Sequence, residues 1–270
     1  MEAILAENLT KTINPRGNKP VYAVRGVDLI VRQGEIFGFL GPNGAGKTTC
    51  QRMLTTLLPI DGGRAEIAGF DVTKRADEVR RHIGYVGQLG GADLTATGRE
   101  NLTLAARVYG LKPAAAKAKV AKLARLLDLE ELLDRIVRAY SGGQKRRLEV
   151  ALGIIHEPKI VFMDEPTTGL DPQNRANLWE HIKTLKSRGI TVFLTTHYLD
   201  EADALADRLA IMDCGKIVAE GTPAGLKAGI SDAEIAERVK RETASHATLD
   251  DVFMKMTGRS LRDTGKGAEN

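Results

Sequence analysis

The sequence predicts an α/β fold in which a parallel sheet lies between helices, and three observations carry that expectation. The apolar runs at residues 160–163 and 191–194 are continuous rather than alternating, as in strands buried on both faces. A helical pattern from Pro172 to about Arg188 lies between them, so the three segments read as a βαβ unit. A third apolar run, residues 36–40, leads directly into a glycine-rich loop and then a helix. With 270 residues the chain can bury an ample core without disulfides or a structural metal.

Residues 4–10 and 21–31 read as strands on either side of the turn-rich segment Asn14-Pro15-Arg16-Gly17-Asn18, and strand 36–40 follows a turn at Gly34. The helix after the glycine-rich loop is expected over about residues 46–58. In the middle of the chain residues 98–109, 113–127 and 141–156 carry helical periodicity and strand signals vanish. This reads as a helical subdomain of about residues 89–157 inserted into the α/β core. Its Ala/Lys-rich segment 114–122 has the charge of a nucleic-acid patch, but a solvated helix face accounts for it better. Beyond the βαβ unit, residues 208–213 and 216–220 form a hairpin turning at Cys214-Gly215. Residues 1–221 thus make one domain, and residues 222–270 a short helical extension whose polar tail, from Thr257 onward, is expected to be partly disordered. There is no internal repeat, so one copy of each motif must suffice or be supplied by another chain.

Composition bounds the function. Lys and Arg number 39 against 35 Asp and Glu, a mild excess spread along the chain that does not call for nucleic acid. The two cysteines, Cys50 and Cys214, lie far apart with no His or Cys at ligand spacing, which suggests neither a disulfide framework nor a zinc site. A reducing, cytosolic setting fits. Glu2 and Glu7 punctuate the N-terminus, and no apolar run approaches the ~20 residues that span a bilayer, so the chain itself is expected to be soluble.

The glycine-rich loop is Gly41-Pro42-Asn43-Gly44-Ala45-Gly46-Lys47-Thr48. It fits the Gly-x-x-x-x-Gly-Lys-[Ser/Thr] pattern in its required setting between strand and helix. Glycines let the backbone wrap a phosphate, successive N–H groups form an anion nest, and the helix N-terminus adds partial positive charge. Lys47 can hold the β- and γ-phosphates of ATP while the Thr48 hydroxyl ligates Mg²⁺, with Thr49 next to it on the same helical turn. A metal-facing carboxylate is then expected at the end of another strand, and Ile160-Val161-Phe162-Met163-Asp164-Glu165 supplies two. Asp164 is placed to hold Mg²⁺ through water, and Glu165 to polarise the attacking water as general base. Such a pair can also merely cap a turn; beside a phosphate loop the catalytic reading is favoured.

Tyr140-Ser141-Gly142-Gly143-Gln144 precedes a strong helix and offers a second set of free N–H groups for an anion. Taken alone it is equally a helix cap. With the first loop already around the phosphates, an economical geometry grips each γ-phosphate with one loop from each of two protomers. The constellation resembles the ATP-binding-cassette family, whose signature is Leu-Ser-Gly-Gly-Gln, with Tyr140 a replacement conservative in size and apolar character. By position, Gln88 in Ile83-Gly84-Tyr85-Val86-Gly87-Gln88 matches the family's glutamine that senses metal and water, with Gly87 where proline is frequent. Asp171 in Thr168-Gly169-Leu170-Asp171-Pro172 matches the aspartate that contacts the opposite protomer. His197 after Leu194-Thr195-Thr196 matches the switch histidine, just past a strand's carboxyl end where α/β ligands bind. The family usually stacks an aromatic residue on adenine; Tyr22 is the only nearby aromatic, and it is either that residue or simply part of a strand. His82, His156, His181 and His246 share no ligand spacing, and Trp179 reads as a packing residue.

The resemblance runs from Ile4 to about Thr222. It implies a P-loop NTPase (RecA-like) core with an N-terminal antiparallel β-subdomain and an inserted α-helical subdomain. It further implies an ATPase acting as a homodimer in the ATP-bound state, coupled to a separate integral membrane permease, on the cytoplasmic face of the membrane, with no nucleic acid as partner. Rival readings are cassette ATPases that act on DNA or the ribosome, and a regulatory ATP-binding module. The first carry a long coiled coil or two fused cassettes, which this chain lacks, and intact Glu165 and His197 argue against the last. The continuation Lys145-Arg146-Arg147-Leu148-Glu149-Val150, the segment Thr168-Gly169-Leu170-Asp171-Pro172, and Leu249-Asp250-Asp251-Val252-Phe253 with Thr257-Gly258-Arg259 are similar to drug-resistance exporters of the daunorubicin type. An importer is the alternative, the cargo being a matter for the membrane subunit. The tail after Gly221 is short for that subgroup.

Overall fold

A computed structural model describes residues 1–14, 19–230 and 248–258. Most of the turn at residues 14–18, His246, Arg259 and the polar tail beyond Gly258 lie outside the described residues. Two sheets organise the rest. The N-terminal strands β1 (Glu2–Ile13) and β2 (Val21–Arg32) join β4 (Gly62–Ile67) and the two-residue β5 (Phe70–Asp71) in an antiparallel sheet of order β2-β1-β4-β5. The main sheet has the order β10-β9-β3-β8-β7-β6. It comprises β3 (Ile36–Leu40), β6 (Ile83–Val86), β7 (Ile160–Asp164), β8 (Thr191–Thr196), β9 (Arg208–Asp213) and β10 (Lys216–Gly221). All its pairings are parallel except the β9–β10 hairpin.

Every residue of β3, β7 and β8 is buried, which is why their sequences show no polar alternation. Alternation persists in where the side chains go. Phe37, Phe39, Phe162 and Phe193 point to one face and pack around the Phe193 ring at centroid distances of 5.3–5.8 Å. That face is closed by the antiparallel sheet and by α1 (Lys47–Leu54) through Cys50, Met53 and Leu54. Each fully buried phenylalanine contributes roughly 1.5–3 kcal/mol relative to exposure. Ile36, Val161, Met163, Val192 and Leu194 point the other way. They meet α3 (Gly98–Val108), α4 (Pro113–Leu126), α5 (Gly142–Ile154) and α6 (Pro172–Ser187) in a second core. At the β9 end, α7 (Leu199–Leu205) and α9 (Leu249–Thr257) cover Leu40, Leu209 and Ile211, while α8 (Pro223–Ala228) follows β10.

Several elements differ from expectation. The helix after the glycine-rich loop stops at Leu54 rather than Leu58: the Thr55 hydroxyl donates to the Gln51 carbonyl, Thr56 turns left-handed at φ 62°, and the Leu57 N–H closes on the Arg52 carbonyl at 2.8 Å. β1 runs from Glu2 to Ile13 because it is paired on both sides. Residues 62–82, unassigned from sequence, hold β4, β5 and α2 (Ala76–His82), and residues 83–86 form edge strand β6. In the helical stretch Thr97 and Glu100 form a reciprocal capping box at the start of α3, and Pro113 opens α4 at a position where its missing N–H costs nothing.

Candidate functional site

The loop 41–48 joins β3 to α1, and its backbone fits only glycine at two points. A Cβ on Gly41 would overlap the Met212 carbonyl, and one on Gly46, whose φ is +106°, would overlap the Ala23 carbonyl. The loop is thus wedged between β2 and the β9–β10 hairpin, where Gly215 N–H donates to the Ala45 carbonyl at 2.9 Å and Arg25 N–H to the Gly215 carbonyl at 2.8 Å. Pro42 and Ala45 are buried, and Asn43 and Gly44 form the exposed tip. Gly46 caps α1 without a side chain, so the first-turn N–H groups of Lys47, Thr48 and Thr49 have no capping side chain. That cradle is suited to an anion.

Lys47 is 4% exposed, and its Nζ donates to its own loop's carbonyls, Gly41 at 2.7 Å and Pro42 at 3.0 Å, while lying 3.8 Å from Glu165 Oε1. Burial pushes its pKa down, with the Glu165 and Asp164 charges pulling the other way. Asp164, at the carboxyl end of β7, is 2% exposed, and one of its oxygens accepts from two hydroxyls: Thr48 Oγ1 at 3.0 Å and Thr195 Oγ1 at 2.6 Å. A carboxylate and a hydroxyl brought together beside a phosphate cradle are the hard oxygen donors that Mg²⁺ takes.

Glu165 follows in a left-handed conformation, φ 46°, its N–H donating to the Thr195 carbonyl and hydroxyl, both at 3.1 Å. Both carboxylate oxygens face functional groups. Oε2 accepts from Gln88 Nε2 at 3.3 Å and Thr168 Oγ1 at 3.2 Å; His197 Nδ1 lies 3.2 Å from Oε1, off the line of a good hydrogen bond. The His197 imidazole, and after it the Lys47 charge, hold the Glu165 carboxyl below its usual range against the opposing effect of burial. It is therefore a carboxylate near neutral pH, able to accept a proton.

Ser141, Gly142, Gly143 and Gln144 lie at a different place. Ser141 Oγ accepts from Gln144 N–H at 3.3 Å, and Gln144 Oε1 accepts from Ser141 N–H at 2.9 Å, a closed capping box on α5. A Cβ on Gly143 would overlap Asn174, whose N–H donates to Asp171 Oδ1 at 3.0 Å at the start of α6. That contact, with the other Asn174 bonds, keeps the Asp171 carboxyl below its ordinary range. The structure therefore brings Lys47, Thr48, Gln88, Asp164, Glu165 and His197 together, and Asp171 with residues 141–144. Among the described residues no hydrogen bond or ion pair joins residues 141–144 to the loop 41–48. Tyr22, 64% exposed, stands next to Ala23 and so on the rim of the phosphate loop.

Three functional groups escaped the sequence reading. Thr195 holds both Asp164 and the Glu165 backbone; the signal was a hydroxyl in a wholly buried strand, which must find a partner. Tyr140 is more than an apolar substitute, because its hydroxyl donates to the Leu132 carbonyl within the helical part. Arg146, considered below, is a charge on the buried face of α5. The other histidines fill local roles: His156 stacks on Tyr109 at 3.9 Å and bonds the Ile83 carbonyl, and His82 bonds the Glu78 carbonyl. Trp179 packs on α6, its indole donating to Glu201.

Comparison with known proteins places this geometry in context. The family described as ABC transporter matches residues 24–168. The daunorubicin/doxorubicin resistance ATP-binding protein DrrA of Streptomyces peucetius is 47% identical over 225 residues, 82% of this chain and 68% of that protein. The Nod factor export ATP-binding protein I of Burkholderia lata is 36% identical over 284 residues, covering 89% of this chain and 93% of the relative. Among solved structures, a dimeric ATP-binding cassette in a post-hydrolysis state bound to ADP and Pi superposes with a TM-score of 0.73 at 25% identity, over 81% of this chain and 98% of that one. No helix among the described residues is long and apolar enough to cross a membrane.

Proposed function

The chain belongs to the ATP-binding-cassette transporter family and hydrolyses ATP as the ATP-binding subunit of an exporter, and from that premise we propose how its residues divide the work. The cradle of Gly41, Pro42, Asn43, Gly44, Ala45 and Gly46, with Thr49, wraps the phosphates, and Lys47 exchanges the two carbonyls it now holds for phosphate oxygens. Thr48 and Asp164 would hold Mg²⁺, with Gln88 beside them, and the ion would neutralise charge on the phosphates. Glu165 takes the proton of the attacking water, while Gln88 and His197 orient its two oxygens. Tyr22 on the rim is the group available to stack on adenine.

Ser141, Gly142, Gly143, Gln144 and Asp171 serve the ATP held by a second copy, so the working unit is a homodimer. The observation that carries the whole reading is Glu165: an ionised carboxylate in a strained conformation, one residue past the metal-facing Asp164 and touched by Gln88, His197 and Lys47.

The membrane part is a separate permease, docked from the cytoplasmic face on an apolar groove of about 430 Å³ whose lining includes Leu57, Tyr85, Ala105, Tyr109 and Leu152. Leu57 and Tyr109 are exposed on its rim, as a partner-binding surface requires. The cargo is a drug or lipid-like molecule; relatives named for daunorubicin and doxorubicin resistance support the drug reading. Recovering the chain from gently solubilised membranes tests this: an integral protein should accompany it in stoichiometric amount. Recovery with ribosomes or DNA and no membrane protein would end the transport reading.

A further inference from the structure

Arg146 sits on α5, five residues beyond Ser141, and only 7% of it is exposed. A guanidinium stays charged and carries five donors and no acceptor, so burying it is costly unless each edge finds oxygen. Every edge does. Nε donates to the Pro166 carbonyl at 2.7 Å, Nη2 to the Asp164 carbonyl at 3.2 Å, and Nη1 to the Gly87 carbonyl and Glu149 Oε2, both at 2.7 Å. Three of these acceptors are main-chain atoms of particular segments. Asp164 and Pro166 flank Glu165 on either side, and Gly87 immediately precedes Gln88.

One side chain thus pins the peptide that enters Glu165, the peptide one residue beyond it at Pro166, and the peptide that leads to Gln88. Glu165 has need of such a clamp, since a left-handed backbone persists in a non-glycine residue only where its surroundings over-determine it. Gln88 is exposed, and its own contact with Glu165 at 3.3 Å is long, so its place depends on how Gly87 is held. The fork geometry matters as well as the charge. A planar guanidinium reaches three carbonyls in different directions at once, whereas an ammonium is a point donor on a flexible stem. The guanidinium's remaining partner, Glu149, extends the clamp outward: its carboxylate fills the space beside Gly90, whose φ is +74°, at the wall of the groove.

We propose that Arg146 is the positioning residue of the hydrolytic site, setting the place of Glu165 and Gln88 relative to the helix that begins at Ser141. The proposal rests on the reading of Glu165 as general base. Among the described residues Arg146 has no hydrogen bond or ion pair to the loop 41–48, so it acts on the chemical step and leaves ATP capture alone.

The test is ATP hydrolysis by the full chain at high protein concentration, with affinity for trinitrophenyl-ATP measured alongside. Arg146→Lys should lower kcat about ten-fold while KM and the probe's Kd change less than about two-fold, because displacing a catalytic group by a fraction of an ångström penalises the transition state and not ground-state binding. Arg146→Met should lower kcat further. Should the methionine variant fail to fold, as circular dichroism would show, the lysine variant decides, since it retains a cation beside Glu149. Unchanged kcat in folded Arg146→Lys, or kcat and probe affinity falling together, overturns the proposal. Glu165→Gln run in parallel separates the two readings: parental turnover there removes the general base itself, whereas an inactive Glu165→Gln beside a fully active Arg146→Lys removes only the arginine's role.

Discussion

Glu201 shows how a single residue near the site can answer to pH without taking part in the chemistry. It lies on α7, four positions after His197, and is wholly buried. Oε1 accepts from the Trp179 indole at 3.3 Å, while Oε2 and the nearby Thr167 hydroxyl have no well-formed hydrogen bond. Burial pushes the carboxyl's pKa up from its usual 4.5, and the hydroxyls of Thr196 and Thr167 and the Trp179 indole oppose that only in part. The folded state therefore holds this proton more tightly than the unfolded one. The associated stability is complete below the unfolded value and is lost as pH rises from there through the raised folded pKa. The expected outcome is that Glu201→Gln, a neutral near-isostere, gains on the parent as pH climbs. Thermal unfolding of both proteins between pH 5 and about 8 should show a melting-temperature difference that grows in the variant's favour over the pH interval in which the buried group ionises. A difference that stays flat would mean that Glu201 titrates alike in both states.

At the scale of elements, the N-terminus of α5 separates a structural role from a functional one. Ser141 closes a capping box with Gln144, and losing such a cap costs about 1 kcal/mol. Ser141→Ala should therefore lower the melting temperature by a few degrees, an effect of that size being roughly 2–4 °C in a domain of this length. Its affinity for trinitrophenyl-ATP as a monomer should stay within about two-fold of the parent, because among the described residues no hydrogen bond joins residues 141–144 to the loop 41–48. Loss of ATP binding by the monomer would show that the two segments serve one site in one chain. The elements that could be read from sequence are those whose burial is written into composition: β3, β7 and β8 are apolar throughout because both faces are covered. β4 escaped because only Ala65 and Ile67 of its six residues are buried and two glycines open it. The early end of α1 escaped because it is marked by a left-handed Thr56, a conformation that the threonine side chain does not favour and its sequence does not announce. Motif spacing made Lys47, Thr48, Asp164 and Glu165 legible. The groups that hold them, Thr195 and Arg146, were not, since their significance depends on which carbonyls and hydroxyls the fold brings within reach.

For the whole molecule the decisive observation is that the two loops proposed to bind phosphate lie in separate sets of residues of one chain. The loop 41–48, Asp164 and Glu165 form a connected set, while residues 141–144 pack with Asp171 and Asn174 elsewhere, and among the described residues no hydrogen bond or ion pair joins residues 141–144 to the first set. Under the proposed function, a helix N-terminus flanked by glycines and unbonded to its own chain's loop 41–48 would gain a ligand when a second copy turned its loop toward it. In that arrangement closure would depend on ATP, since the phosphates would supply the charge that both surfaces share. Hydrolysis would remove that bridge, so a variant that binds ATP without cleaving it should accumulate the closed pair. Glu165→Gln keeps the size of the side chain and gives up the negative charge proposed to accept the proton, and with ATP it should run as a dimer in size-exclusion chromatography coupled to light scattering. The parent should return to monomer as its ATP is consumed, and neither protein should dimerise with ADP. A Glu165→Gln protein that binds ATP yet stays monomeric at high concentration would show that residues 141–144 do not complete a site across two chains.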